Sequence, residues 1–336
     1  MGIFSDLLSL LSGGKGEVEV SEQLLFDKVI GFKGITDGCG ASTLVQNVAA
    51  ALSDATKYKI CVVDTNMIYP CQHALLGGVE VHDDILDFAR GKNFGEIVSA
   101  TTINNVYTVG FLDRTIIDLV AVTKDAGTFD KLLEELKIFY DIILIDLSHE
   151  PSNFAVQAAI KCNKIFMVCD TSAKAISNIV KAYNYLTTLG VSLTKCKRII
   201  LNKAINVSSG VNSIFEQLKL EKFGEIPFSD VIYKQGVSGK PFYNIASMDA
   251  GVTQAHILLD KLVKDIVEES PKNDKKLKKV KKTEAKVQEI DFSEDDNTGN
   301  TENEVDNSKQ MAVPMVYKKT DETDMDEPVF SGGGDK

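Results

Sequence analysis

Between residues 28 and 268 the apolar positions follow two rhythms. Runs of strand length, VIGF (29–32), ICVVD (60–64), IDLVAV (117–122), DIILID (141–146), KIFMVC (164–169) and RIILN (198–202), are rich in β-branched residues. Several show no alternation, as strands covered on both faces do. Between them, STLVQNVAAALSDA (42–55), FDKLLEELKIF (129–139), NFAVQAAIK (153–161) and ISNIVKAYNYLTTLG (176–190) carry apolar residues at helical spacing. This alternation predicts an α/β fold, a mostly parallel sheet flanked by helices on both faces. Binding is then expected at the C-terminal ends of the strands.

The rhythm fails at both ends of the chain. Residues 2–12, GIFSDLLSLLS, put Ile3, Phe4, Leu7, Leu8 and Leu11 on one helical face, and Gly13 and Gly14 stop the helix. Residues 1–14 therefore read as a short amphipathic helix, able to dock on a protein partner, on a membrane as a peripheral contact, or on its own domain. Its polar face offers no lysine or arginine to anionic lipid, and Asp6 excludes a myristoylation signal. After Val267 the hydrophobic pattern ends, so the organisation is 1–14, a globular part over 27–268, and a tail over 272–336 expected to be disordered. Within that tail Met311–Tyr317, MAVPMVY, is an apolar island suited to a peptide-type partner contact.

Charge sharpens this division. The chain carries a net −11, yet Lys272–Lys286 holds a net +6 and residues 287–336 a net −10, leaving −7 on residues 1–271. An acidic globular part with arginine only at Arg90, Arg114 and Arg198 argues against specific nucleic-acid binding, which rests on cationic contacts to phosphate. The lysine block reads as a solvated linker, with anionic membrane surface or nucleic acid as its electrostatic alternative. No run of about 18 apolar residues occurs and the N-terminus lacks a secretory pattern, so a cytoplasmic protein is expected, with any membrane contact peripheral and at the inner face. Six cysteines without a CxxC pair and four isolated histidines suggest neither a disulfide nor a zinc framework.

The chemistry concentrates in residues 34–44, GITDGCGASTL. A strand leads into a glycine loop and then into a helix beginning at Ala41, Ser42 and Thr43, the context of a phosphate-binding loop. Such a loop usually reads G-x-x-x-x-G-K-[ST], with backbone N–H groups cradling phosphate, a lysine on the β and γ phosphates and a hydroxyl on magnesium. Here Ala41 stands in the lysine's place. Three further segments end strands in polar groups: CVVDTN in Asp64, DIILID in Asp146, and RIILNKA in Asn202 and Lys203.

Taken together, these segments resemble the ParA/MinD group of P-loop ATPases over roughly residues 27–268, with a loop closest to the CpaE/TadZ branch associated with Tad (Flp) pilus localisation. The stretch IPFSDVIYKQGVSGKPFYN (226–244) is similar to the family's closing segment. The resemblance implies ATP or ADP held with Mg2+ in a homodimer. It assigns nucleotide contacts to Asp37, Gly38, Cys39, Gly40, Ala41, Ser42, Thr43, Asn202, Lys203 and Pro227. Ser42 is implied as a direct magnesium ligand, with Asp64 and Asp146 on the ion or one layer behind it. On residue type alone Lys203 reads as a solvated surface charge.

Against the family's pattern, Thr36 replaces the signature lysine, Ala41 the phosphate lysine and Asn66 the acid that positions water, while Asp37 adds negative charge beside the phosphate position. A positive clamp can be worth ~10³ or more in rate, so each loss acts against hydrolysis. Lys33, one strand position before the loop, does not point to a rescue, because side chains alternate along a strand. Three readings follow: a nucleotide-binding, poorly hydrolysing localisation protein, an active partition or site-placement ATPase, and a scaffold that binds no nucleotide.

Overall fold

The computed structural model describes residues 28–80, 82–112, 127–147, 149, 152–205 and 209–268. These residues belong to one compact unit. The expected helix at 2–12, strand at 117–122, lysine block and segment 311–317 lie outside the described residues.

Among the described residues eight strands form one sheet: β1 (Val29–Gly34), β2 (Ile60–Asp64), β3 (Ser99–Ala100), β4 (Val106–Val109), β5 (Ile142–Leu147), β6 (Lys164–Cys169), β7 (Arg198–Ala204) and β8 (Glu221–Pro227), in the order β3-β4-β2-β5-β1-β6-β7-β8. All pairs are parallel except β3 with β4 at the edge. The helices are α1 (Ala41–Ala55), α2 (Gln72–Leu75), α3 (Ile85–Ala89), α4 (Phe94–Ile97), α5 (Thr128–Phe139), α6 (Asn153–Lys161), α7 (Ala173–Thr188), α8 (Ser209–Leu218), α9 (Asp230–Val237) and α10 (Ala250–Glu268).

Every residue of β1, β2, β5 and β6 is buried, which accounts for their unbroken apolar runs. Alternate positions feed two cores. Val29, Val63, Ile143, Ile145 and Met167 share one layer with the apolar residues of α5, α6 and α7. Ile30, Phe32, Val62, Leu144 and Phe166 share the other with those of α1 and α10. In that second layer Phe166 stacks on Phe32 at 5.4 Å and meets Phe223 edge-on at 4.9 Å. Asp265 on α10 pairs with both Lys164 and Arg198, tying the helix to β6 and β7.

Side chains set several helix starts. Ser152 accepts from the N–H of Ala155, and Ser172 from that of Ala175, so α7 begins before Ile176, the first apolar position of its predicted stretch. The strand bordering β2 is VYTV, whose four residues carry too little apolar pattern to stand out in sequence. Among the described residues no helix is long and apolar enough to cross a membrane. Phe166→Ala should cost about 3–5 kcal/mol of stability, read from urea unfolding, because it empties the contact between two aromatic neighbours.

Candidate functional site

Register decides the site. Asp64 pairs with Asp146 across β2 and β5, and Phe32 pairs with Asp146 across β1 and β5. Residues in register on adjacent parallel strands point to the same face, so both carboxylates share the side on which Phe32 and α1 pack. Both are buried. Burial, with Asp64 alongside, pushes Asp146 up to about 7, opposed by the Gln72 amide, the Ser42 hydroxyl and Lys33. Burial also raises Asp64, against hydrogen bonds from the N–H groups of Gln72, Cys71 and Asn66.

The loop crosses above this pair. Gly38 and Gly40 adopt φ of 72° and 90°, in the left-handed region, and Gly40 opens α1 without a side-chain cap. The first-turn N–H groups and the positive helix end are thus left to an outside acceptor. A Cβ on Gly40 would meet Asn202 Nδ2 at 2.4 Å, a second reason for glycine there. Asn202 donates to the Cys39 carbonyl at 2.8 Å and Lys203, itself at φ 53°, donates from Nζ to the Gly38 carbonyl at 2.7 Å. Lys203 therefore reaches the loop while its bond to Gly38 stays exposed to solvent.

Thr36, Asp37, Ala41 and Asn66 each have a distinct setting. Ala41 is buried, with a methyl group where the usual loop carries its lysine. Thr36 is buried and donates to Asp170 Oδ2 at 3.4 Å. Asn66 Oδ1 accepts the N–H groups of Ile68 and Tyr69, an Asx turn, so it shapes the segment after β2. Asp37 is exposed. Lys33 is buried beside Leu147, Ala155 and Tyr185, on the sheet face away from α1, and burial lowers it to about 8.

Beside the loop lies a cavity of 220 Å³, lined among others by Gly40, Thr43, Asn202, Lys203, Pro227, Phe228, Tyr233 and Phe242. It is smaller than a typical pocket for a whole ligand and mainly apolar, the character of a site for one flat ring system. Two polar residues inside α1 shape it: Asn47 Oδ1 accepts the N–H groups of Phe242 and Tyr243, and Gln46 donates to the Gly239 carbonyl at 3.0 Å. Sequence reasoning brought together the loop, Asn202, Lys203, Pro227, Ser42, Asp64 and Asp146. It passed over Gln46, Asn47, Cys71, Gln72 and Asp170. The available signal was the polar pair QN within the apolar run of α1.

The chain covers 99% of the cell-division ATPase MinD of Pyrococcus furiosus over 71% of its own length, with 19% identity and a TM-score of 0.59. It covers 94% of the septum site-determining protein MinD of Pyrococcus horikoshii, solved with Mg-ADP, over 69% of its own length, with 20% identity and a TM-score of 0.57. A ParA family ATPase of Chlorobium tepidum gives 17% identity and a TM-score of 0.59 over 69% of this chain and 98% of that one. The fold is the ParA/MinD-type P-loop fold. In sequence, the chain is 27% identical over 225 residues to an uncharacterised ATP-binding protein of Methanocaldococcus jannaschii, covering 64% of this chain and 79% of that one. No protein-family model matches.

Within this fold the carboxylate pair fits a divalent cation, since two buried, adjacent acids are relieved by a proton, by hydrogen-bond donors or by a positive ion. Asp146 titrates at about 7 when folded, above the ordinary value of about 4. The native state therefore holds the extra proton between those limits; its stabilisation is full below about pH 4 and is lost as pH rises through the folded value. Asp146→Asn should abolish this decline. Thermal melts without divalent cations at about pH 5 and about pH 8 should show a smaller drop in the variant, and an equal drop would contradict the assignment.

Proposed function

We propose that the chain binds ATP or ADP with Mg2+, hydrolyses it poorly, and works as a homodimeric ParA/MinD-like placement factor in localising or assembling a cell-envelope machine such as a Tad pilus. The observation that carries this reading is the uncapped start of α1 at Gly40 beside the cavity at Asn202 and Pro227. One feature suits phosphate, the other a base, and they adjoin through Gly40 and Thr43. The ATP-binding description of the M. jannaschii relative and the Mg-ADP in P. horikoshii MinD support the ligand. Ser42 Oγ and the Asp146 carboxylate would hold the cation, with Asp64 fixing the segment beside them. A bound magnesium would supply positive charge to the phosphates.

Three positions support poor turnover. Ala41 brings no charge, Thr36 donates to Asp170, and the Asn66 side-chain oxygen is taken by backbone. The pilus role rests on the loop's resemblance to the CpaE/TadZ branch. A second reading, a cycling ATPase in partition or site placement, is favoured by Lys203, whose ammonium brings a positive charge to the loop.

Calorimetry of the full chain with ATP and ADP, with and without Mg2+, tests the proposal. Ser42→Ala and Asp146→Ala are each expected to weaken magnesium-dependent binding about tenfold or more while the far-ultraviolet circular dichroism is retained. Unchanged affinity in both would overturn the site, and absence of binding by the unaltered chain would make it a scaffold. Ala41→Lys alone should leave ATPase activity at its low level, since Thr36 and Asn66 are unchanged. A large gain in phosphate release would favour the cycling ATPase.

A further inference from the structure

The segment after β2 brings a sulfur into this ring of oxygens. Asp64 Oδ1 accepts the N–H of Asn66 at 2.9 Å, and Oδ2 accepts those of Cys71 and Gln72 at 2.8 and 2.9 Å. The carboxylate thereby folds residues 66–72 back over the strand ends. Cys71 Sγ and carboxylate oxygens of Asp64 and Asp146 then lie within 4.8 Å of one another.

Gln72 supplies the second, independent observation. It is fully buried, and its Nε2 donates to Asp146 Oδ2 at 2.7 Å and to the Ser42 carbonyl at 3.0 Å. Those two acceptors fix which end of the amide is nitrogen. The oxygen, Oε1, is buried without a hydrogen-bond partner among the described residues. A buried acceptor with no donor, on an amide held against Asp146, has the character of a cation ligand.

We infer that Cys71 Sγ, Gln72 Oε1 and the Asp146 carboxylate form a site for a divalent transition cation with affinity for sulfur, of the zinc, cobalt or cadmium class. Magnesium favours all-oxygen, near-octahedral surroundings, whereas a mixed sulfur and oxygen set suits the softer ions. Bonds of roughly 2.0–2.3 Å put donors on one tetrahedral ion about 3.5 Å apart, so Cys71 Sγ and the Asp146 carboxylate, within 4.8 Å of each other, close on an ion by side-chain movement of about 1 Å. Asp64, with both oxygens engaged by backbone N–H groups, is the positioning residue that carries Cys71 into place. The inference rests on reading this pocket as a cation site, and it does not require nucleotide.

The test uses the full chain, reduced and free of nucleotide, titrated with cadmium or cobalt alone. The expected result is a thiolate-to-metal charge-transfer band that saturates at one equivalent. Cys71→Ser should remove it, and Gln72→Leu should weaken the metal about tenfold, with circular dichroism confirming that both variants fold. No band in the unaltered chain, or an undiminished band in Cys71→Ser, would overturn the inference. Magnesium-dependent nucleotide calorimetry on the same preparation separates the two readings. Nucleotide binding without the band would overturn only this one, and the band without nucleotide binding would support it while the proposed function failed.

Discussion

Two buried acids held in register at the end of a parallel sheet set the terms for everything around them. Asp64 and Asp146 stand side by side because β2 and β5 pair in parallel, and neither can turn away without leaving its strand. Charge repulsion in a dry setting must be relieved by a proton, by hydrogen-bond donors or by a cation. The structure uses donors first: three backbone N–H groups reach Asp64, and the Gln72 amide reaches Asp146. Those bonds in turn shape residues 66–72, so the electrostatics of the pair decides the path of the chain beside the loop.

The loop above the pair is held by internal bonds. Position 41 is a buried alanine and brings it no charge. Positive charge comes from β7, where Lys203 holds the Gly38 carbonyl while Asn202 holds that of Cys39. These contacts grip the loop through its carbonyls and leave its N–H groups to an acceptor. A loop held through its carbonyls, with the first-turn N–H groups of α1 facing outward, is suited to holding an anion.

Much of this was legible in the sequence, for physical reasons. Fully buried parallel strands write continuous apolar runs, so β1, β2, β5, β6 and β7 stand out, and acids closing two such runs mark the strand ends where a site gathers. Val106–Val109, the strand next to the edge, wrote no such run, because its four residues are too few to set one up. The start of α7 shifted where Ser172 capped it, whereas α6 runs over the residues expected. Cys71 and Gln72 were illegible: a thiol and an amide on a loop gain meaning only once hydrogen bonds to Asp64 turn them inward. The true place of Lys203 was hidden for a similar reason, since its reach to Gly38 depends on a left-handed backbone at a non-glycine residue.

Lys33 and Lys203 show why proximity in sequence is a poor guide to charge at such a site. Lys33 precedes the loop directly, yet strand alternation sends it to the face opposite α1, among Leu147, Ala155 and Tyr185, where burial lowers its pKa to about 8. Its charge reaches Asp146 only as a secondary influence from behind the sheet. Lys203 is separated from the loop by the whole of the chain between β1 and β7, but β7 ends beside Gly40 and delivers its ammonium to the Gly38 carbonyl. In a parallel sheet all strands that run together end together, so groups from distant segments meet at one edge while neighbours in sequence are divided between two faces. The chemistry available here is decided by that edge, and its two lysines are unequal because one belongs to the edge and the other to a face.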